Sequence, residues 1–382
     1  MPRDLTHVIL ADESCALLSG PARQCAQKNA SLFHLGAVSH DTFLYGSRGN
    51  LATKIHGGFG DDTRAVVLEM LDDIRREKDP AVREQEKAFA YGFLSHIASD
   101  SVFHPFVYSV SGSQVRENNP DKRSAILAKV RHRYVETWLD VHFMKEKDKS
   151  LDTFKPFQEL RHDQAGKKAV SDFFCRNFQK AFDFKEDLSS TYRQSLAVQL
   201  FVGRVTQGQT LGKVLRKMDN FLDGQLGIAV SGFYQRDRKI PSKLKDFKEF
   251  KHPVTGETVH KSLQDLTHDA VHRGVDFIAA AERYIETGNK QEFLKAVPNV
   301  NLDTGIENTK LSDIKQATPL AVEELKGSKL KQFVEKGYKV LTSGAKAVKK
   351  GVVRTAYPEV RRFSSQRSEV LDALRLKKGV QR

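Results

Sequence analysis

The feature that most constrains this chain is a row of three polar side chains in an apolar stretch. His96, Asp100 and His104 follow one another at intervals of four residues, so on a helix with 3.6 residues per turn they project from one face. Many of their neighbours are apolar, including Phe93 and Phe103. Burying imidazoles and a carboxylate there costs free energy unless a partner satisfies them. Metal ions would do so, because both groups bind zinc and a carboxylate can bridge two ions.

The hydrophobic pattern predicts an all-α fold. Apolar residues recur at helical spacing through most of the first 290 positions, whereas runs with strand alternation hardly occur. Helices are predicted over residues 7–19, 62–77, 82–103, 122–145, 168–183, 188–218 and 262–287. Glycine-rich connectors are predicted at 46–60 and 111–120. We therefore expect a multi-helix domain that carries the polar row on its third predicted helix.

A second polar pair lies on the next predicted helix. His132 and Glu136 are four residues apart, a spacing at which two side chains of one helix can chelate one ion. Asp140 continues this row and could support the two ligands from behind. Taken alone, the pair would be interpreted as an ordinary ion pair on an exposed helix face. Its interpretation as a metal site therefore depends on the other candidates.

Three more candidates occur early in the sequence. Asp41 follows the small-residue segment 36–39, which we interpret as a turn, and His56 precedes two glycines. His7 is the third, and each of these residues alone could be an ordinary surface or core residue. Together the candidates are numerous enough for two or three zinc ions. The full set is His7, Asp41, His56, His96, Asp100, His104, His132 and Glu136.

The order of these motifs resembles that of the bacterial zinc-dependent phospholipase C family. An early His, a Gly-Ala-x-x-x-Asp segment, a second His, an H-x3-D-x3-H-P helix and an H-x3-E helix occur in that order within roughly residues 1–287. The segment 252–257, His-Pro-Val-Thr-Gly-Glu, also looks like a family feature. The resemblance implies one zinc ion held by Asp41, His56, His96 and Asp100, a second held by His104, His132 and Glu136, and a third shared by His7 and Asp100.

The resemblance also implies an activity, the hydrolysis of a glycerophospholipid with release of diacylglycerol. Adjacent zinc ions would activate water and stabilise the negative charge that develops on the phosphate. Asp41 is the implied catalytic residue, which would orient or deprotonate the attacking water. Secreted members of the family lend the amino terminus of a Trp to the third ion, and here Pro2 could take that place.

The lipid headgroup is not predicted. Choline-selective relatives have aromatic residues where this chain has Thr42 and Thr53. An aromatic cage for a quaternary ammonium would have to be rebuilt from Phe43, Tyr45 or Phe59. Phosphatidylcholine is therefore not the expected preferred substrate.

The positive charge is concentrated at the C-terminal end. Residues 321–382 hold 16 Lys and Arg against 6 Asp and Glu, a net +10 of the +14 in the whole chain. We divide the chain into a catalytic domain over residues 1–290, a loosely structured linker over 291–325 and a basic, partly helical extension over 326–382. The extension suits an anionic membrane surface, although a solvated helix would have the same composition.

The sequence also bears on location. No apolar stretch approaches the ~20 residues of a membrane-spanning helix, and the first residues lack the apolar core of a signal peptide. Cys15, Cys25 and Cys175 lack zinc-ribbon spacing, and we interpret them as reduced. These features predict a cytoplasmic protein, peripheral to the membrane if the extension binds lipid. They predict no oligomeric state.

Three other functions fit parts of the pattern. A zinc nuclease would need aromatic platforms for bases, and no clear aromatic pair marks one, so no nucleic acid partner is expected. An HD-type phosphohydrolase would use His40 and Asp41 as its doublet but leaves the row at 96, 100 and 104 unexplained. A noncatalytic protein could keep zinc for stability and bind membranes through the extension. The complete ligand set favours an enzyme.

Overall fold

The computed structural model describes residues 4–119, 122–150, 153–156, 164–207, 234, 244 and 246–315. Its helices are α1 Asp4–Leu17, α2 Gly20–Lys28, α3 Ala30–Val38, α4 Gly49–Ile55, α5 Ala65–Arg76, α6 Pro80–Ser111, α7 Lys122–Glu146, α8 Gln164–Ala181, α9 Ser189–Gln207, α10 Leu263–Thr287 and α11 Lys290–Ala296. Two short strands, β1 Phe250–Lys251 and β2 Thr258–Val259, pair antiparallel. The all-α prediction is confirmed. Pro2, the end of the predicted helix 188–218 and the extension 326–382 lie outside the described residues.

The long helix α6 is the centre of the fold. It begins behind Asp79, whose carboxylate accepts hydrogen bonds from the backbone N–H groups of Ala81 and Val82, a favourable N-cap. From residue 86 to its end every side chain is buried, because other helices surround it. A helix buried on all sides belongs to the core. The polar row at 96, 100 and 104 therefore lies inside the protein.

Helix α3 crosses α6 at two glycines. A Cβ atom at Gly36 would overlap the carbonyl oxygen of Phe89, and one at Gly92 would overlap that of Phe33. The two backbones therefore touch where they cross. The interpretation of residues 36–39 as a turn was wrong, because α3 continues to residue 38 and a 3-10 helix, Ser39–Tyr45, follows it and carries Asp41.

The chain beyond α11 packs on the helical body as far as residue 315. We call residues 297–315 the strap. The backbone N–H of Leu302 donates to the carbonyl oxygen of His56 at 2.9 Å, and that of Leu311 donates to Gly58 at 3.1 Å. The Asn301 side chain also donates to the carbonyl oxygen of Gly57. The sequence predicted a loose linker from residue 291, whereas the structure has a helix and close contacts up to 315.

The state of the cysteines and the apolar character of the helices complete the description of the fold. Cys15, Cys25 and Cys175 are free and buried. Among the helices that the structure describes, none combines the length and the apolar character needed to cross a membrane.

Candidate metal centre

The structure brings all eight predicted residues together from five parts of the chain. His7 comes from α1, Asp41 from the 3-10 helix after α3, and His56 from the C-terminal end of α4. The other five lie on α6 and α7: His96, Asp100, His104, His132 and Glu136. All eight are buried, with at most 6% of any of them exposed. Their polar atoms face one another instead of solvent.

The donor atoms form three groups, within each of which they lie within 4.8 Å of one another. The groups are His7, His96 and Asp100; Asp41, His56 and His96; and His104, His132 and Glu136. Each is a combination of imidazole and carboxylate that zinc binds.

Asp100 stands between the groups. Its Oδ1 lies 3.3 Å from His7 Nε2 and 3.7 Å from His104 Nε2. Its Oδ2 lies 3.3 Å from His56 Nε2 and 2.9 Å from His96 Nε2. One carboxylate thus faces four imidazoles, an arrangement that suits a ligand shared by two ions.

The imidazoles are held from behind through their Nδ1 atoms. The partners are Ser99 Oγ for His7, the carbonyl oxygen of Ala52 for His56, that of Ala37 for His96, that of Leu302 for His104 and Ser111 Oγ for His132. Because a carbonyl oxygen can only accept, Nδ1 of His56, His96 and His104 carries the hydrogen. In the neutral ring Nε2 then has a free lone pair, which is the form that binds metal.

Several inward atoms have no hydrogen-bond partner. They are Nε2 of His7, His56, His96 and His104, Oδ1 of Asp41 and both carboxylate oxygens of Asp100. Buried polar atoms without partners are rare and each costs free energy. The clustering of so many such atoms indicates that they share a binding partner, such as a metal ion. The donor types and their burial fit zinc ions.

The pKa shifts of most of these ligands favour the form that binds metal. Burial lowers the pKa of His7, His104 and His132, so these rings are neutral near pH 7. Burial alone would raise the pKa of Asp100, but the imidazoles of His104, His96 and His7 hold it well below its usual range. Burial would likewise lower the pKa of His56, yet Asp100 and Asp41 raise it. The proton on His56 must leave when a metal binds.

A cavity of about 290 Å³ opens beside the second and third groups. Asp41, His56, His132 and Glu136 line it. Its other lining residues are Asp4, Leu44, Tyr45, Ala52, Thr53, Tyr108, Gln114, Lys129, Arg133, Thr137, Asp303 and Leu311. The cavity gives a small substrate access to the candidate metal ligands.

Sequence reasoning missed two residues of this site. Tyr108 lies one turn beyond His104 on α6, and its hydroxyl donates to Asp303 Oδ1 at 3.1 Å. The same Asp303 oxygen lies 3.5 Å from His104 Nδ1. The four-residue spacing of the polar row continues to Tyr108 and could have identified it. Nothing in the local sequence marks Asp303, which the strap brings to the site.

Asp140 and Phe43 do not have the roles that the sequence analysis considered for them. Asp140, expected behind His132 and Glu136, accepts hydrogen bonds from the backbone N–H and the hydroxyl of Thr6, next to His7. It therefore anchors the start of α1. Phe43, a candidate for an aromatic cage, is fully buried against Phe174 and Tyr192 and is excluded from that role.

His40 is buried next to the centre but belongs to none of the three groups. Its ring stacks on His96 with centroids 4.2 Å apart and on Phe93 with centroids 3.7 Å apart. An HD-type site would need His40 and Asp41 to bind metal together. The position of His40 disfavours that alternative.

Comparison with protein families gives a match to a family described as zinc dependent phospholipase C, over residues 6–200. The matched segment spans half of the chain and contains every residue of the three groups, whereas the strap lies outside it. No curated protein and no solved structure matches the chain.

Proposed function

The chain belongs to the zinc-dependent phospholipase C family, as the order of its motifs predicted, and from this membership we propose that it cleaves a glycerophospholipid and releases diacylglycerol. The observation that carries the proposal is the convergence of buried, partnerless imidazole nitrogens and carboxylate oxygens beside an open cavity. A phosphodiester in that cavity would lie next to residues that would hold zinc, Asp41 among them.

We assign two complete zinc sites. His96 has one inward nitrogen and serves one ion, which we place with Asp41, His56 and Asp100, as the family resemblance implies. The second ion would be held by His104, His132 and Glu136. A third ion would have His7 and Asp100 among the described residues, fewer ligands than zinc usually takes from a protein.

Asp41 is the proposed catalytic base. Zinc ions bound here would supply Lewis acidity toward the phosphate oxygens. The carboxylate of Asp41 lines the cavity, and its Oδ1 lies 3.3 Å from His56 Nε2. We propose that it orients the attacking water and accepts its proton.

The deciding experiment compares Asp41→Asn with the unmodified protein. Asparagine keeps an oxygen donor but cannot accept a proton at neutral pH. We expect diacylglycerol release from mixed micelles to fall at least ~100-fold while zinc content, measured by metal analysis, changes little. Asp183→Asn, at an exposed position, is the matched control and should keep full activity.

Two outcomes would contradict the proposal. Full activity of Asp41→Asn would remove Asp41 from the mechanism. If the zinc-loaded protein released no diacylglycerol from any phospholipid, the noncatalytic zinc-stabilised alternative would be favoured instead.

A further inference from the structure

One exposed apolar side chain lines the cavity, and a second follows a glycine that is hydrogen-bonded to two lining residues. Leu44 lines the cavity and is 36% exposed. Phe59 is 57% exposed and follows Gly58, whose backbone is hydrogen-bonded to Thr53 and Leu311, both cavity residues. Exposed apolar side chains beside a binding cavity are suited to contact with an apolar phase.

Two exposed basic side chains line the same cavity. Lys129 and Arg133 lie four residues apart on α7 and line the same cavity as His132 and Glu136. The acidic residues that line the cavity are buried, namely Asp4, Asp41, Glu136 and Asp303. Among the described charged residues of the lining, Lys129 and Arg133 are the two that are exposed.

We propose that this rim, defined as Leu44, Phe59, Lys129 and Arg133, docks the protein on an anionic phospholipid bilayer. The inference rests on the proposed function, since the phosphodiester of a bilayer lipid reaches Asp41 when the cavity mouth meets the headgroup layer. Apolar side chains would enter the boundary between headgroups and acyl chains, and the cations would pair with anionic lipid. The bilayer contact thus lies on the catalytic domain itself.

A bilayer fits this rim better than a folded protein partner. A stable protein interface usually buries about 800 Å² on each side and contains a central apolar cluster. Here, among the described residues, the proposed contact has two exposed apolar side chains beside an open cavity. Such a rim suits a fluid layer that can fill the gaps between them.

The chain offers matched controls for the apolar residues. Leu17 is 54% exposed at the end of α1, and Val82 is 36% exposed at the start of α6. At 1.5 Å per residue they lie ~15 Å and ~21 Å along their helices from His7 and His96. Leu17 therefore matches Phe59 in exposure, and Val82 matches Leu44, at positions away from the cavity.

The test measures binding of the full-length, zinc-loaded chain to vesicles of phosphatidylglycerol and phosphatidylcholine. All binding variants carry Asp41→Asn, so that the lipid is not consumed. We expect Phe59→Ser to weaken binding about tenfold and Leu44→Ser about threefold, whereas Leu17→Ser and Val82→Ser leave it unchanged. Replacing Lys129 and Arg133 by Gln should weaken binding about tenfold, and less on vesicles of phosphatidylcholine alone.

A second assay separates docking from catalysis. With Asp41 intact, Phe59→Ser should lose several-fold more activity on vesicles than on a short-chain phospholipid kept below its critical micelle concentration. Equal losses of vesicle binding in Phe59→Ser and Leu17→Ser, or no loss in either, would overturn the docking surface. Failure of the unmodified protein to hydrolyse any phospholipid would instead overturn the proposed function, while the binding comparison would still test the rim.

Discussion

Asp303 and the backbone of Leu302 stand behind His104. The imidazole donates through Nδ1 to the carbonyl oxygen of Leu302 at 2.9 Å, and Asp303 lies 3.5 Å from the same nitrogen. A carboxylate in that position makes the imidazole a stronger metal ligand and fixes its orientation. We expect Asp303→Asn to weaken zinc retention about tenfold, measured by metal analysis after dialysis against a competing chelator.

The strap provides the control for this prediction. Asp313, near its end, caps a 3-10 turn by accepting from the backbone N–H of Lys310, and Asp313→Asn should retain zinc normally. Tyr108→Phe removes the hydroxyl that fixes Asp303 and should give a smaller loss in the same direction. Unchanged zinc retention in Asp303→Asn would show that the Leu302 carbonyl alone positions His104.

The buried carboxyl group of Glu86 should make the stability of the protein depend on pH. Burial raises the pKa of Glu86 to about 7, against the partial compensation of Arg176. A carboxyl group whose pKa is higher in the folded than in the unfolded state favours folding below pH ~4.5, and this contribution is lost as the pH rises through 7. We expect Glu86→Gln to stabilise the protein by about 1 kcal/mol at pH 8, allowing for solvent screening, and by less at pH 5.

The measurement is the free energy of unfolding in urea for the two proteins at each pH. Glu84→Gln is the control, because Glu84 lies on the same helix with its carboxylate 37% exposed. If Glu86→Gln changed stability equally at both pH values, the buried carboxyl would not be the titrating group.

The ligands on one helix were predictable from their spacing, those on other elements through the family resemblance, and the supporting residue Asp303 by neither route. His96, Asp100 and His104 share a helix face, so their spacing alone predicts that they meet. Asp303 comes close to His104 through a contact between residues almost 200 positions apart. No local pattern encodes such a contact, because it depends on how the whole chain closes.

At the level of elements, the crossing of α3 and α6 sets the geometry of the centre. Gly36 and Gly92 allow the two backbones to touch, and this brings the carbonyl oxygen of Ala37 to 2.8 Å from His96 Nδ1. We expect Gly36→Ala to force the helices apart, with a loss of about 3 kcal/mol in the free energy of unfolding and weaker zinc binding. Urea denaturation and metal analysis would measure the two effects.

Gly203→Ala is the matched control for this substitution. Gly203 also lies inside a helix, but the nearest atom to a Cβ there is 4.0 Å away. Alanine should therefore be tolerated and could stabilise the helix by up to ~1 kcal/mol. Equal effects at the two glycines would argue against a tight crossing.

The sequence analysis missed α3 and the order of the strap because both depend on contacts with distant parts of the chain. Helix α3 is buried on several sides, with Leu32, Phe33, Leu35 and Val38 all inside the core, so it lacks the polar face that makes a helix recognisable. The strap has the Asn, Asp and Thr content of a loop, and its order comes from hydrogen bonds to distant residues. Long amphipathic helices such as α10 were predicted closely, with its capping residue Ser262 at the predicted start.

For the whole molecule, we consider how the proposed rim and the basic C-terminal sequence would divide membrane binding. The rim lies on the described helical body, whereas residues 321–382, which carry a net +10, lie outside the described residues. The extension lies outside the segment that matches the family. We propose that it adds electrostatic attraction to the bilayer, while the rim orients the cavity.

This division predicts different responses to salt. Replacing Lys329, Lys331, Lys336 and Lys339 by Gln within the full chain should weaken binding to phosphatidylglycerol vesicles at low salt, by up to ~1 kcal/mol for each charge near the surface. The loss should shrink at high salt, because screening removes the contribution of these lysines. Phe59→Ser should weaken binding at both salt concentrations, since apolar insertion is not screened. Vesicle binding that the four substitutions leave unaltered would assign the membrane contact to the catalytic domain alone.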